Sequence, residues 1–132
     1  MKKNTEAITI NLKGKAAIVT GASRGIGRAI AVKFAEAGAD VCVVYKNSDS
    51  EAASALREIE AFGVKGLKIK CDAADSAQAK AAVEETIDKF GKIDILVNNA
   101  AVTDNLPFLA LEAGEWQKAV DVNVNSVYNF TH

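Results

Sequence analysis

The stretch AAIVTGASRGIGRAIA, Ala16 to Ala31, decides the fold. It opens with small and β-branched apolar residues, Ala16 to Val19, which read as a buried strand ending at Thr20. It closes in a helical segment, Arg28 to Ala37, where Ile26, Ile30, Phe34 and Ala37 recur at helical spacing and Gly38 marks the stop. Between them lies TGASRGIG, Thr20 to Gly27, with glycines at 21, 25 and 27. So little side chain at a strand-to-helix junction means a sharp turn, a close approach, or both.

The same alternation continues to the C-terminus. Val41 to Tyr45 is a second apolar strand. Ser48 and Glu51 give a capping-box signal before a helix striped by Ala52, Leu56, Ile59 and Phe62. Val64 to Cys71, broken by Lys65, Lys68 and Lys70, reads as a strand at a sheet edge. Asp75 and Gln78 open a third helix carrying Ala79, Val83, Ile87 and Phe90, which Gly91 closes. Ile93 to Asn98 is a fourth strand, and 100–111 is a loop containing the only proline, Pro107. From Ala113 a last helix sets Trp116, Val120, Asn123, Val127 and Phe130 on one side, with Ala119, Val122 and Ser126 beside them. Strands that are apolar without alternation are covered on both faces, so the pattern predicts an α/β fold with a parallel sheet between two helical layers. Right-handed crossovers in a doubly wound arrangement give the strand order 3-2-1-4.

Composition excludes several classes. The 132 residues suit a single domain, with a polar N-terminal extension over 1–11. Sixteen basic against seventeen acidic residues leave no global field for nucleic acid or anionic lipid. The basic cluster Lys2, Lys3, Lys13 and Lys15 reads as solvated. With no apolar stretch of membrane-spanning length and no signal-like core in 1–11, the expected location is cytoplasmic. Cys42 and Cys71 lie in strand-like runs and read as buried thiols, and with His132 the only histidine no metal site is expected.

In an open parallel sheet, ligands bind beyond the carboxyl ends of the strands, where the strand order reverses. For the order 3-2-1-4 that point lies between strands 1 and 4. The glycine loop ends strand 1 and NNAA, Asn98 to Ala101, ends strand 4, so two motifs converge there. Gly21 would permit the sharp turn off the strand. Gly25 would let backbone N–H groups approach a pyrophosphate at a helix N-terminus, and Gly27 would let that helix pack close to the sheet. Read alone, the loop is equally a tight turn with no ligand.

The spacing T-G-x-x-x-G-x-G, with N-N-A after strand 4, CDAAD at Cys71 to Asp75 and DVNVNSVYN at Asp121 to Asn129, resembles the short-chain dehydrogenase/reductase superfamily from Leu12 onward. TGASRGIGRAIA and TDNL, Thr103 to Leu106, look most like its 3-oxoacyl-(acyl-carrier-protein) reductase branch. The resemblance implies a Rossmann-type, dinucleotide-binding domain cut before a fifth strand, and a nicotinamide dinucleotide as ligand. It implies that Gly21, Ser23, Arg24, Gly25, Ile26 and Gly27 line the cofactor's phosphates and ribose. Asp72 and Ala73 would meet the adenine, and Asn99, Ala100 and Ala101 would run beneath the nicotinamide-side ribose. Asp72 reads equally as a loop carboxylate near a helix start. Ala101 stands where the family has a glycine, and its methyl would crowd the cofactor or shift the loop.

An NAD-type site carries an acidic residue about twenty positions beyond the glycines, at the ribose 2′-OH. Here strand 2 ends in Tyr45-Lys46-Asn47, with no carboxylate before Asp49. Arg24 and Lys46 are the cations available for a 2′-phosphate, which favours NADP(H) over NAD(H). Otherwise both are merely solvent-exposed side chains.

The resemblance further implies hydride transfer to a carbonyl, or from an alcohol, of a small-molecule or acyl-carrier-linked substrate. Its proton chemistry uses a tyrosine, helped by lysine, serine and asparagine. The asparagine matches Asn123, which also reads as a core asparagine satisfied by backbone. The serine, tyrosine and lysine belong to and beyond a fifth strand, and these 132 residues do not contain them; Tyr128 and His132 are not that pair. The expectation is therefore the cofactor-binding part of an NADP-dependent oxidoreductase, inactive alone. Its apolar last helix would be buried by another copy in a homo-oligomer. A non-catalytic nucleotide-binding or interaction module, and an α/β domain without ligand, are the alternatives.

Overall fold

The computed structural model describes residues 8–132, so Lys2, Lys3 and most of the polar extension lie outside the described residues. Four strands, β1 (Ala16–Thr20), β2 (Asp40–Tyr45), β3 (Gly66–Lys70) and β4 (Ile95–Val97), form one sheet in the order β3-β2-β1-β4. All three pairings are parallel: Ile18 lies opposite Cys42 and Leu96, and Cys42 lies opposite Leu67. The helices between them are α1 (Gly25–Glu36), α2 (Asp49–Glu60) and α3 (Ser76–Phe90). After β4 come a 3-10 turn (Phe108–Ala110), α4 (Ala113–Val120), a π-helical turn (Asp121–Asn125) and α5 (Ser126–Thr131).

Successive strand side chains point to opposite faces, and the core divides accordingly. On one face Val19, Val41, Val43 and Tyr45 pack with Ala31 and Ala35 of α1 and Ala52 and Ile59 of α2. On the other, Ile18, Cys42 and Val44 meet Ala79 and Ala82 of α3 and Phe130 of α5. Every residue of β1 is buried, as a central strand covered twice should be. Each fully buried valine or isoleucine stabilises the fold by roughly 1.5–3 kcal/mol.

The end signals of α3 are realised. The Asp75 carboxylate accepts from the Ala77 and Gln78 N–H groups, each at 3.0 Å, and Gly91 takes φ +83 to close the helix. The Ser48 signal is not: Ser48 has φ −106 and ψ 77 and makes no side-chain cap bond, so no capping box forms there. Phe62 lies past the end of α2 and is exposed. Helix α1 starts at Gly25, three residues before Arg28, which puts Ile26 in its first turn with 75% of its surface exposed rather than in the apolar stripe. β3 and β4 are shorter than expected: β3 pairs with β2 only over Gly66–Lys70, and β4 pairs with β1 only over Ile95–Val97. The single last helix is instead interrupted by the π turn. One extra residue in a turn shifts the phase of everything beyond it, so that Val127 is exposed while Phe130 is buried; Trp116, ahead of the turn in α4, is exposed as well.

Candidate functional site

The loop after β1 is shaped by its glycines. Gly21 has φ +63 and Gly25 has φ +60, conformations that side-chain-bearing residues rarely adopt. A Cβ on Gly21 would also stand 3.0 Å from the Ala100 Cα, so the loops after β1 and β4 are in direct contact. At Gly27 a Cβ would overlap the Asn99 carboxamide and the Gly21 carbonyl. The helix therefore sits close because the loop after β4 reaches under it.

Thr20 is the centre of that junction. Its buried hydroxyl accepts from the Asn99 N–H at 3.0 Å and the Ala100 N–H at 2.9 Å, and is 3.4 Å from the Val97 carbonyl to which it donates. The Asn99 side chain returns the contact, donating to the Thr20 and Gly21 carbonyls at 3.0 and 3.1 Å. The switch point is thus held shut by side chains where β4 supplies only three paired residues.

Above it, beyond the carboxyl ends of the strands, lies a cavity of about 560 Å³. From the glycine loop Gly21, Ser23, Arg24, Gly25 and Ile26 line it, and from the loop after β4 Asn99, Ala100 and Ala101. Tyr45 and Lys46 contribute from the end of β2, and Asp72 and Ala73 from the end of β3. Of the residues expected at the site, Gly27 and Asn123 are not on its wall. Gly27 is buried behind the loop. Asn123, in the π turn, accepts from the Val102 N–H at 2.8 Å and donates to the Val102 carbonyl at 2.9 Å. Both ends of its carboxamide are engaged, so it fixes the loop that lines the cavity.

The wall is electrostatically uneven. The Lys46 ammonium is 3.1 Å from an Asp72 carboxylate oxygen, and the Ala74 N–H donates to the other oxygen at 3.0 Å. Partial burial pushes the Asp72 carboxyl upward, but Lys46 and the Ala74 amide outweigh it and hold the group below its ordinary value. Arg24 is exposed and forms no ion pair among the described residues. The buried Tyr45 donates through its hydroxyl to Asp49 at 2.8 Å, tying the strand end to the start of α2. Ala73 is fixed by Asn129 of α5, whose amide donates to its carbonyl at 3.0 Å.

Cys71 also lines the cavity, but burial, with Asp72 and Asp75 nearby, pushes its thiol up to about 11. Burial pushes the Cys42 thiol up to about 12. Both stay protonated at neutral pH and are poor nucleophiles and ligands. Tyr128 stacks on His132, ring centroids 5.1 Å apart, beside a separate cleft lined by Ile87, Ile93, Leu96 and Phe130.

Residues 15–132 match the family model described as short chain dehydrogenase. The chain belongs to that family. A 3-oxoacyl-(acyl-carrier-protein) reductase of Staphylococcus aureus is 42% identical over 115 residues, covering 87% of this chain and 47% of that protein. An L-rhamnose 1-dehydrogenase (NADP(+)) of Thermoplasma acidophilum is 40% identical over 122 residues, 92% of this chain and 48% of the other. A Burkholderia cenocepacia short-chain dehydrogenase, solved in complex with NADP, superposes with a TM-score of 0.89 at 39% identity, over 92% of this chain and 49% of that one. This short-chain dehydrogenase chain spans about half the length of the curated relatives it matches. Among its described residues no helix is long and apolar enough to cross a membrane.

The wall offers a place for an anion on its own chemistry. Gly25 has open space where a Cβ would stand, next to the N-terminus of α1, so backbone N–H groups there are accessible to an anion. Sequence reading missed two residues that build this short-chain dehydrogenase site, Thr20 and Asn129. Both lie inside motifs quoted for other reasons, but their partners are 79 and 56 positions away, so no local pattern announces them.

Proposed function

We propose that this chain is the NADP(H)-binding half of a short-chain dehydrogenase/reductase that interconverts a carbonyl and an alcohol. The observation that carries the reading is the convergence of the glycine loop and the loop after β4 on one cavity flanked by Arg24 and Lys46. Bound NADP(H) supplies or accepts the hydride. Gly21, Ser23, Gly25 and Ile26 present the loop to the phosphates, with the α1 N-terminus adding positive potential. Arg24 and Lys46 serve the 2′-phosphate, the first as a planar fork and the second as a point charge. Asp72 and Ala73 take the adenine, and Asn99, Ala100 and Ala101 the nicotinamide-side ribose. Asn123 supports that loop through Val102.

A serine and a Tyr-x-x-x-Lys pair complete the proton chemistry in the family, and these 132 residues hold no Tyr-x-x-x-Lys, so the reading is of cofactor binding without turnover. The substrate of a full-length parent would be a small-molecule or acyl-carrier-linked carbonyl compound, and the exposed apolar surface of this chain supports its assembly into a homo-oligomer. The test is a titration of the chain with NADPH and separately with NADH, followed by nicotinamide fluorescence. Saturable binding that favours NADPH and weakens about tenfold in Arg24→Ala is expected, the loss of one charge-assisted contact. A folded sample that binds neither nucleotide overturns the reading.

A further inference from the structure

We infer that Asp72 limits the chain's preference for NADPH over NADH, by holding the Lys46 ammonium in an ion pair that an incoming 2′-phosphate has to share. The inference rests on the NADP(H) reading above.

The fold makes the pair. Tyr45 lies opposite Lys70 in the β2–β3 register, so the next residues, Lys46 and Cys71-Asp72, leave neighbouring strand ends together. The two side chains meet at 3.1 Å on the cavity wall. The partners are unequally anchored. Asp72 is fixed by the Ala74 N–H on its carboxylate and by its own N–H, which donates to Gln78 at 2.9 Å. Gln78 is in turn held by Asp75 at 3.3 Å. The Lys46 side chain, 54% exposed, has no other hydrogen-bond partner among the described residues. The carboxylate is therefore the fixed charge and the ammonium the one that can swing.

The consequence for selectivity is one of charge. A 2′-phosphate brings roughly two negative charges to Lys46, and Asp72 already supplies one. The carboxylate opposes NADPH by competing for the same ammonium, whereas the 2′-hydroxyl of NADH needs no cation. Arg24, unpaired on the glycine loop, keeps the overall preference for NADPH. Because the pair is half-exposed, its effect is modest.

Asp72→Asn separates charge from shape: the amide oxygen can still accept from Ala74 and from an adenine amine, but the competing charge is gone. Four proteins, the unaltered chain, Asp72→Asn, Lys46→Met and the double variant, are titrated with NADPH and NADH. The NADPH-to-NADH affinity ratio should rise about two- to fivefold in Asp72→Asn, the worth of an exposed pair. It should fall in Lys46→Met, and the second substitution should change little on that background. A ratio that is unchanged or lower in Asp72→Asn overturns the inference while leaving the cofactor reading intact, provided the unaltered chain still binds NADPH. An equal rise with and without Lys46 overturns it as well, because Asp72 would then act on the phosphate directly. Loss of nucleotide binding in the unaltered chain overturns both. If Asp72→Asn folds poorly, Asp72→Ser, which also removes the charge and keeps an oxygen facing the Ala74 N–H, is titrated in its place, with the same rise expected and an unchanged ratio again overturning the inference.

Discussion

Thr20 and Leu109 stand in contrast: the hydroxyl-bearing Thr20 is 2% exposed and bonded through that hydroxyl to three backbone groups, whereas Leu109 is 96% exposed. They also typify their neighbourhoods. Around Thr20 the loops after β1 and β4 satisfy each other, and both line the cavity above them. Around Leu109, Phe108 and Trp116 are exposed as well. The first region has its polar groups paired with one another. The second carries apolar surface of the kind that contact with more protein normally covers.

That contrast can be broken by three substitutions. Gly27→Ala should have the largest effect, because its methyl meets the Asn99 carboxamide and the Gly21 carbonyl, neither of which can move without opening the junction. A loss of about 3 kcal/mol in urea unfolding is expected, at the upper end for overpacking. A variant as stable as the parent would show that the junction is loose after all. Thr20→Val keeps the shape and strands the Asn99 and Ala100 N–H groups, for a loss of about 2 kcal/mol by the same measurement. Leu109→Ser should shift unfolding by less than about 0.5 kcal/mol, while reducing any self-association seen by sedimentation. A loss as large as that of Thr20→Val would place Leu109 in a core and erase the distinction.

Most of the fold was legible because its signals are local. Apolar runs marked the strands, Asp75 and Gly91 marked the ends of α3, and the lysines at 65, 68 and 70 marked an edge. The misreadings have physical causes too. Ser48 has the right letters for a cap but the wrong backbone, and the neighbouring Asp49 is already taken by Tyr45 and Lys70. The stripe from Trp116 to Phe130 assumed an unbroken period, which the π turn at Asp121–Asn125 interrupts. The glycine loop, NNAA and CDAAD pointed to one place, and their residues do meet at one cavity. What they could not display is how the place is held, because the Thr20–Asn99 and Lys46–Asp72 contacts join segments distant in sequence.

The edges of the sheet finally give the chain a polarity of growth. β3 faces outward with Lys68 and Lys70 along it, and a further strand laid there would have to accept those charges. β4, at the opposite edge, is the uncharged tripeptide Ile95-Leu96-Val97. In the language of polymers the sheet has a capped end and a live end, so any strand that extends it should add beside β4, next to the switch point and within reach of the cavity above it.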